Sequence, residues 1–539
     1  MTGTHVLGTP WKQIDRRARW DAVVVGSGLG GLTTAALLAR HARKRVLVLE
    51  RHYTAGGFTH VFRRPGYEWD VGVHYVGDVT GERAFTRRLL EHVGDGSLQW
   101  APMDDVYDRV IVGGDAYDFV AGRHRFRDAL AARFPGEESR LDAYLAAIHA
   151  AVRGSWTFFV EKGLPAPASW LAGGLMRRRF LRHARRTTAD VLREIGASPR
   201  LGAVLTGQWG DYGLPPSASS FGMHALLVRH YLGGAAYPVG GAAAIGASVA
   251  PAIVDAGGAI AVGAEVASVL VKDGRAVGVR MADGTEIAAP VVVSDAGVHT
   301  TVRRLLAPDI ARESGLAAAA DALPASTGHL CAYVGLRRTA AELGLPRTNL
   351  WMYPGDDHDA SLAAFRADPE GAPLPLVYIS FPSAKDPAFT ARFPVRSTIE
   401  LFTFAPWDTF ARWEEGRWRR RGSEYDALKQ RLAARMLELL YTQLPQVRDA
   451  VDVVEVSTPL STRHFANYAQ GEIYGLAHSP ARFEARWLRP RIPIRGLWLT
   501  GQDVVTCGVA GALAAGFATA SAILGRYLLA GKRRTWSGC

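Results

Sequence analysis

Residues 21–31 read DAVVVGSGLGG, and this stretch decides the fold prediction. Asp21–Val25 is a short run rich in β-branched valine, which is typical of a buried parallel strand. Residues 32–40 have helical composition, and a second apolar run at residues 45–49 ends at Glu50. The pattern therefore predicts a strand, a glycine-rich turn, a helix and a second strand, which is the start of a Rossmann-like α/β domain.

The turn has the spacing of a dinucleotide-binding site. Gly26, Gly28 and Gly31 form G-x-G-x-x-G, in which the glycines allow a tight turn, close approach of a pyrophosphate and close helix–strand packing. The N-terminus of the following helix offers free N–H groups to the phosphates. Glu50 can bind ribose hydroxyls, and its charge disfavours a 2′-phosphate. The cofactor-binding residues predicted in this unit are Gly26, Ser27, Gly28, Gly31, Glu50 and Arg51.

Two more glycine-bearing segments extend this site. The doublet Gly56–Gly57 follows Glu50 by six residues, in a place where a plain nicotinamide-binding domain has no standard need for it. Near the C-terminus, residues 497–500 predict a short strand, and Gly501-Gln502-Asp503 and a helix of small residues follow. Residues 504–525 run for 22 positions without a charge, long enough to span a membrane. Their many Ala, Gly, Ser and Thr residues favour a helix packed closely on a cofactor instead.

These motifs resemble the FAD-dependent amine oxidase and phytoene desaturase superfamily, whose FAD signature is G-x-G-x-x-G…E-x(5)-G-G. Further segments look like the retinol saturase and carotenoid isomerase branch of that superfamily, over nearly the whole chain from Asp21 to Ala530. The matching segments are DVGVHYVG (Asp70–Gly77), YPVGG (Tyr237–Gly241), ISFPSAKDP (Ile379–Pro387), STPLSTRHF (Ser457–Phe465), GEIYGL (Gly471–Leu476) and LTGQDVVTCGVAGAL (Leu499–Leu513).

The resemblance implies FAD as the cofactor. By resemblance, the backbone of Val266 would pair with adenine, and Gly501 and Asp503 would lie at the ribityl–pyrophosphate region. Val509 and Ala510 would present backbone N–H groups to the flavin ring. A helix N-terminus there is physically suitable, because reduced flavin carries negative charge that the helix dipole stabilises.

The predicted fold class is α/β, with a Rossmann-like FAD-binding domain interleaved with a substrate domain and a helical cap. Residues between the motifs of the FAD domain are expected to form two insertions outside its sheet. Residues 237–241 are expected to form a loop, and turn signals at Asp273-Gly274 and Asp283-Gly284 predict a three-stranded meander. The predicted FAD-binding domain consists of residues 21–75, 236–299 and 481–530. The predicted substrate or cap insertion is 76–235, and the predicted substrate domain is 300–480.

Composition excludes several other classes of protein. The 539 residues are 48% hydrophobic and 21% charged, which excludes a disordered chain and a polytopic membrane protein. Cys331, Cys507 and Cys539 form no CxxC pair, so neither a zinc site nor a disulfide framework is predicted. Neither G-x-S-x-G nor H-E-x-x-H occurs, so nothing predicts a hydrolase or metalloenzyme, and no metal site is expected.

The resemblance implies an FAD-dependent oxidoreductase that transfers a hydride at a carbon–carbon double bond of a long apolar polyene or isoprenoid. Saturation also needs a proton donor, and His74, Tyr75 and Tyr474 are the predicted catalytic residues. Retinol-saturase-like reduction is the first choice within the family, before desaturation and flavin-dependent polyene isomerisation. An amine oxidase and a non-catalytic lipid-binding escort protein of the same fold remain as further alternatives.

Residues 155–186 predict contact with a membrane. They contain Trp156, Trp170, Leu171 and Leu175, followed by six arginines between residues 177 and 186. Apolar residues beside an arginine cluster suit an interfacial helix on anionic lipid, although a solvated basic helix has the same pattern. The net charge of +12 is compatible with either interpretation, and no nucleic-acid reader motif accompanies it. No apolar signal segment occurs in residues 1–20, so we expect a cytoplasmic protein that lies peripherally on the inner face of the membrane.

Overall fold

The computed structural model describes residues 6–528. Cys539 and residues 529–530, the end of the predicted FAD-binding domain, lie outside the described residues, as do residues 1–5 of the segment expected to lack a signal. Within residues 6–528, no helix has both the length and the apolarity that a membrane span requires.

The strands are named in chain order. They are β1 Thr9–Pro10, β2 Ala22–Val25, β3 Val46–Glu50, β4 Val61–Arg64, β5 Tyr67–Asp70, β6 Val76–Gly77, β7 Trp100–Pro102, β8 Val106–Val112, β9 Asp115–Val120, β10 Ala235–Pro238, β11 Ala259–Val262, β12 Val266–Lys272, β13 Arg275–Met281, β14 Glu286–Ala288, β15 Val292–Ser294, β16 His329–Leu336, β17 Asn349–Tyr353, β18 Val377–Ser380, β19 Ser397–Phe404, β20 Val451–Ser457 and β21 Leu497–Leu499.

The α-helices are named in the same way. They are α1 Leu29–Ala42, α2 Phe85–Val93, α3 Arg123–Ala131, α4 Glu138–Lys162, α5 Ala166–Ala184, α6 Thr188–Ile195, α7 Pro199–Leu205, α8 Phe221–Tyr231, α9 Ala243–Val254, α10 Val298–Thr300, α11 Pro308–Glu313, α12 Leu316–Asp321, α13 His358–Ala367, α14 Pro382–Lys385, α15 Phe389–Arg392, α16 Trp407–Phe410, α17 Ser423–Gln443, α18 Pro459–Ala466, α19 Pro480–Glu484 and α20 Gly508–Leu524. Short 3-10 or π turns occupy Trp11–Gln13, Gly57–Thr59, Trp209–Asp211, Thr301–Leu305, Ala411–Trp413 and Pro445–Ala450.

A parallel sheet of six strands carries the dinucleotide motif. Its order is β1-β11-β3-β2-β15-β21, and every neighbouring pair is parallel. Val24 of β2 packs with the layer of α1, α9 and α20, while Val23 and Val25 pack with the opposite layer that includes the meander β12–β14. Because both faces of β2 are buried, the continuous valine run is explained.

A second sheet has seven strands. Its order is β20-β16-β19-β18-β17-β8-β9, and the β17–β8 pair is parallel. Strands β8 and β9 come from the first predicted insertion and the other five from the second, so the two insertions share one sheet. The predicted domain boundaries stay predictions. Helices α3 to α8, which all follow β9, add a helical layer, in which α5 packs on α4.

Two local predictions have opposite outcomes. The three-stranded meander is confirmed as β12–β14, and Asp273 and Gly274 both have positive φ in its first turn, at 49° and 68°. The loop expected at residues 237–241 is wrong for its first two residues. Tyr237 and Pro238 belong to β10, which pairs with β6 and β7, and Pro238 is tolerated because it is the last residue of the strand.

Candidate active site

The glycine-rich turn is shaped by contacts that exclude side chains. Gly26 has φ of 97°, a left-handed conformation that favours glycine. A Cβ atom on Gly31 would lie 2.5 Å from the carbonyl oxygen of Gly26, and one on Gly28 would lie 2.5 Å from Asp295 Oδ2. The N-terminus of α1, with Gly28 as its N-cap, can therefore meet a pyrophosphate without a side chain between them.

Glu50 is hydrogen-bonded into this turn. Its Oε2 atom accepts from the Ser27 backbone N–H over 3.0 Å and from the Ser27 hydroxyl over 2.7 Å. Its Oε1 atom accepts from the backbone N–H of His52 over 2.8 Å. The carboxylate is only 9% exposed, so its position at the end of β3 is fixed by these donors. The geometry places an acid where a ribose is expected to lie.

The doublet Gly56–Gly57 closes over the same turn. Gly56 and Gly57 have φ of 121° and 55°. A Cβ atom on Gly57 would lie 2.8 Å from the Cα atom of Gly28, so a larger residue would push the two loops apart. The Gly56 backbone N–H also donates to Ser27 Oγ over 3.0 Å. The first and second glycine motifs are thus directly joined.

The remaining predicted cofactor residues line the same cavity. Arg51 donates to the carbonyl of His464 over 2.7 Å, and Val266 is the first residue of β12. Asp503 accepts backbone N–H groups from Val298 and Leu476, each over 2.7 Å. The cavity has a volume of about 1120 Å³. Of the predicted cofactor-binding residues only Gly31, which packs inside α1, does not line it.

Helix α20 directs its N-terminus at the cavity. Cys507 is the N-cap, and Val509 and Ala510 in the first turn line the cavity. The first N–H groups of a helix have no partner within the helix, so they are available to an anionic ligand. The Cys507 thiol donates to the carbonyl of Asp211 over 3.4 Å, which places residue 211 beside this helix N-terminus.

Away from the dinucleotide turn, the cavity wall becomes apolar and aromatic. Helix α4 contributes to one side of it and β17, β18 and β19 to another. The residues that form this apolar half are Val152, Trp156, Phe159, Val160, Met223, Leu226, Leu227, Tyr231, Trp351, Tyr378, Phe402 and Ile473. Among the described residues, no lysine lines the cavity.

His74 lines the cavity but belongs to a buried polar cluster. Its Nδ1 atom lies 2.8 Å from Glu400 Oε2, at an angle unsuited to a hydrogen bond, and its carbonyl accepts from Lys385 Nζ over 3.0 Å. Burial, with the Lys385 charge, lowers the pKa of His74 to about 4. Burial raises the pKa of Glu400 to about 8. His74 is therefore a neutral imidazole near neutral pH.

Tyr75 contacts two carboxyl groups at once. Its hydroxyl lies 3.0 Å from Asp108 Oδ2 and 3.1 Å from Asp211 Oδ2. Asp108 also accepts from Gln208 Nε2 over 2.7 Å and from Asn349 Nδ2 over 2.9 Å. Burial raises the pKa of Asp108 to about 6. Burial, together with the Asp108 charge, raises the pKa of Asp211 well above its ordinary value.

Comparisons with known proteins agree with this geometry. The family described as an NAD(P)-binding Rossmann-like domain matches residues 24–92. The all-trans-retinol 13,14-reductase of Danio rerio is 38% identical over 526 residues, which cover 94% of this chain and 86% of the relative. The chain belongs to the all-trans-retinol 13,14-reductase family. The chloroplastic prolycopene isomerase of Arabidopsis thaliana is 27% identical over 489 residues, covering 86% of this chain and 75% of the isomerase.

Solved structures show the same fold at low identity. Cyclohexylamine oxidase from Brevibacterium oxydans IH-35A superimposes with a TM-score of 0.59 and 16% identity, covering 94% of this chain and 99% of the oxidase. Family membership confirms the predicted resemblance, the α/β class with a Rossmann-like domain, and the oxidoreductase class acting on carbon–carbon bonds. The matched family model shows a dinucleotide-binding site of the Rossmann type.

In this reductase family member, the structure brings two of the three predicted catalytic residues together. Tyr474 donates to the carbonyl of Gly210 over 2.9 Å, so it packs on the same short turn that carries Asp211 beside Tyr75. His74 instead contacts Glu400 of β19. The catalytic roles of all three stay predictions.

The carboxyl groups of Asp108, Asp211 and Asp295 were not predicted from the sequence. Asp108 lies in the middle of β8, and Asp211 lies in an irregular turn, so neither position has a motif. Asp295 directly follows β15, and its carboxyl lies against the glycine-rich turn. Burial raises the pKa of Asp295 to about 8. The position of Asp295 at the carboxyl end of a parallel strand was the one available signal.

Proposed function

We propose that this protein is an FAD-dependent reductase that saturates one carbon–carbon double bond of a long apolar polyene of the retinol class. One observation supports the proposal: a single cavity is lined by the dinucleotide turn, by the N-terminus of α20 and by a set of aromatic and aliphatic side chains. Its volume of about 1120 Å³ exceeds the range of about 300–1,000 Å³ usual for one ligand. A dinucleotide and an apolar substrate can therefore share it.

The residues of the turn fit FAD. Glu50 would hold the ribose, the side-chain-free surface at Gly26 and Gly28 would receive the pyrophosphate, and Val509 and Ala510 would direct N–H groups to the flavin ring. When bound, the flavin supplies two electrons and one hydrogen to one carbon of the double bond. The protein must then orient the polyene, exclude water and deliver a proton to the neighbouring carbon.

The apolar half performs the first two tasks. Trp351, Tyr378 and Phe402 are each at most 9% exposed and belong to adjacent strands of the second sheet, so their positions are fixed by sheet pairing. A polyene has no charged group by which it could be bound, so affinity must come from burial of apolar area, at about 25 cal/mol per Å². Stacking on the aromatic rings adds directional preference.

Anaerobic absorption spectroscopy tests this proposal. Enzyme with oxidised flavin and enzyme with reduced flavin are each mixed with a small panel of retinoids and carotenoids, and both the flavin and polyene bands are followed. A reductase reoxidises its flavin while the polyene band moves to shorter wavelength, because conjugation is lost. Bleaching of oxidised flavin with a shift to longer wavelength identifies a desaturase. A change in polyene isomer without net flavin oxidation identifies an isomerase.

Two further outcomes address the remaining alternatives. If amines but no polyene bleach the oxidised flavin, the protein is an amine oxidase. An amine oxidase is expected to use lysine-centred oxidation chemistry, and among residues 6–528 no lysine lines the cavity. If the folded purified protein binds lipid but not FAD, it is an escort protein. The hydrogen bonds that connect Ser27 with Glu50 and Gly56 support an intact dinucleotide-binding site, which an escort protein would not need.

We also propose that the protein docks through α5 on an anionic membrane surface. This membrane would be the source of its apolar substrate. Trp170, Leu171 and Leu175 are 75–79% exposed on one face of this helix. On the same face, Arg178 and Arg182 are exposed and make no ion pair with any residue of the described range 6–528. Helix α5 carries no acidic residue. Apolar and cationic side chains on one face fit a lipid interface with negative headgroups.

Helix α5 is also close to the cavity. It packs on α4, where the Thr157 hydroxyl donates to the carbonyl of Met176 over 2.8 Å, and the neighbouring Trp156 of α4 lines the cavity. Docking through α5 would thus hold the apolar half near the lipid. This location would make the protein peripheral on the inner face of a cytoplasmic membrane, without nucleic-acid partners.

Vesicle co-sedimentation tests the docking proposal. Wild type is expected to bind vesicles containing phosphatidylserine, and a Trp170→Ser, Leu171→Ser, Leu175→Ser variant is expected to bind at least tenfold more weakly. A variant with exposed Val254 and Val395 changed to Ser serves as control and should bind as wild type does. Equal binding of wild type and the α5 variant would contradict the proposal. Dimerisation lost in the α5 variant would identify a second copy as the partner.

A further inference from the structure

The hydroxyl of Tyr75 lies between the carboxyl groups of Asp108 and Asp211, and this arrangement limits how the three groups can be protonated. A phenol hydroxyl has one proton to donate, yet Tyr75 lies within hydrogen-bond distance of a carboxyl oxygen on each side. Tyr75 can donate to one carboxylate, and the other contact is a hydrogen bond only if that carboxyl group is protonated and donates to the phenol oxygen. For both contacts to be hydrogen bonds, the unit must hold two protons and one negative charge.

The neighbouring groups decide which carboxyl is protonated. Asp108 receives two amide donors, from Gln208 and Asn349, and these stabilise its ionised form. Among the described residues, no side chain other than Tyr75 donates to the carboxyl of Asp211. Burial and the Asp108 charge both disfavour a second carboxylate there. The negative charge consequently belongs to Asp108, and the acid proton to Asp211.

We infer that Asp211 is the catalytic proton donor, a neutral carboxylic acid that protonates the second carbon of the double bond. Asp211 lines the cavity and lies beside Cys507 at the N-terminus of α20, where the flavin ring is expected. Tyr75 is then a positioning residue, which accepts from Asp211 and donates to Asp108. This inference rests on the proposed reductase function.

The step balances in atoms and electrons. Reduced flavin, itself reduced by an external two-electron donor such as dithionite, supplies two electrons and one hydrogen to the first carbon. The O–H bond of Asp211 breaks, and a new C–H bond forms at the second carbon. Asp211 is left as a carboxylate, and a proton from solvent restores the acid, while the Tyr75 phenol keeps its own proton. The product has one carbon–carbon double bond fewer and gains one hydrogen from solvent.

Two readouts test the inference. In the infrared difference spectrum of wild type minus Asp211→Asn, taken without substrate, wild type should contribute a carbonyl-stretch band of a protonated carboxyl that shifts in D2O. In single-turnover oxidation of reduced flavin by a polyene, Asp211→Asn should slow the reaction by about 10²–10⁴-fold at unchanged flavin content. Asp211→Glu should restore some of the rate. Asp104→Asn, which removes an exposed carboxylate, should behave as wild type does.

The outcomes separate this inference from the proposed function. If wild type reduces no polyene, the proposed function fails, and the infrared band alone decides whether Asp211 is protonated. Absence of the band in wild type, or its persistence in Asp211→Asn, would overturn the inference. A wild-type rate in a folded Asp211→Asn enzyme would also overturn it. If Asp211→Asn does not fold, the Asp211→Glu rate and the shift of the band in that variant decide the question.

Discussion

The hydroxyl of Ser27 donates to Glu50 Oε2 over 2.7 Å and at the same time accepts from the backbone N–H of Gly56 over 3.0 Å. One side chain in the glycine-rich turn thereby joins the end of β3 to the second glycine motif. These three segments are separate in the sequence, but each has a contact with the same hydroxyl. The glycine-rich turn, Glu50 at the end of β3 and the Gly56–Gly57 loop are therefore held as one unit.

Ser27→Ala should weaken flavin binding. The substitution removes the hydroxyl acceptor of the Gly56 N–H, which keeps a longer contact of 3.2 Å with the Ser27 carbonyl, and one of the donors to Glu50. Two lost hydrogen bonds cost about 1–3 kcal/mol together. Borne entirely by the FAD-bound form, that cost corresponds to an FAD Kd about 5- to 150-fold higher. Flavin absorbance per protein after dialysis measures the effect. Ser97→Ala, which removes a hydroxyl bonded to exposed Asp95, is the control and should retain full flavin. Full retention in Ser27→Ala would contradict the prediction.

Gly57→Ala should remove flavin binding through steric contact rather than through backbone strain. Gly57 has φ of 55°, and its Cβ would lie 2.8 Å from Gly28 Cα. Gly344 has φ of 60°, and no atom lies within 4 Å of its Cβ position. Both alanine variants carry a left-handed backbone cost of about 1–2 kcal/mol. Only Gly57→Ala should also lose flavin, and similar flavin contents in the two purified variants would show that the close approach does not matter.

Local sequence patterns predicted helix α1, but they did not predict the residue at which it begins. Helix α1 begins at Leu29, three residues before the expected start, because Gly30 and Gly31 are helical despite their low propensity. The reason is tertiary, since a Cβ on Gly30 would lie 2.5 Å from the Cα of Gly501. Helix α17 ends at Gln443, because Pro445 follows.

The unpredicted carboxyl groups of the site depend on contacts between distant segments. Asp108 meets Asn349 across 241 residues, through the parallel pairing of β8 with β17. Asp211 meets Tyr75 across 136 residues. A parallel pair formed by two different insertions leaves no periodicity in either segment, so no local pattern could place these carboxyl groups beside Tyr75. The dinucleotide turn could be predicted because its three glycines, Gly26, Gly28 and Gly31, lie within six consecutive residues.

Glu161→Gln should destabilise the contact between α4 and α5. The Glu161 carboxylate is 1% exposed and pairs with Arg177 and Arg489, each over 3.1 Å. Removing a buried charge leaves two cations without compensation, at a cost of about 3–5 kcal/mol. Glu194→Gln breaks an exposed pair with Arg186 and should cost at most about 1 kcal/mol. Denaturant unfolding measures both, and equal losses would contradict the prediction.

Glu400→Gln should gain stability relative to wild type as the pH rises. Burial raises the folded-state pKa of Glu400 from 4.5 to about 8. Between these values the folded protein holds a proton that the unfolded chain has released, so the free energy of unfolding falls with increasing pH, by at most about 1.4 kcal/mol per unit. Glutamine has no such proton and can still accept from the Asp70 backbone N–H, which donates to Glu400 over 2.7 Å.

The measurement is denaturant unfolding of wild type and Glu400→Gln at several pH values between about 5 and 8. The difference in free energy of unfolding should shift in favour of the variant by about 1 kcal/mol per pH unit near the middle of this range. The shift should disappear below about pH 4.5, where folded and unfolded wild type are both protonated at this residue. Glu438→Gln, at an exposed residue, should give a difference that does not change with pH. Parallel curves for wild type and Glu400→Gln would mean that Glu400 is ionised in the folded protein over this range.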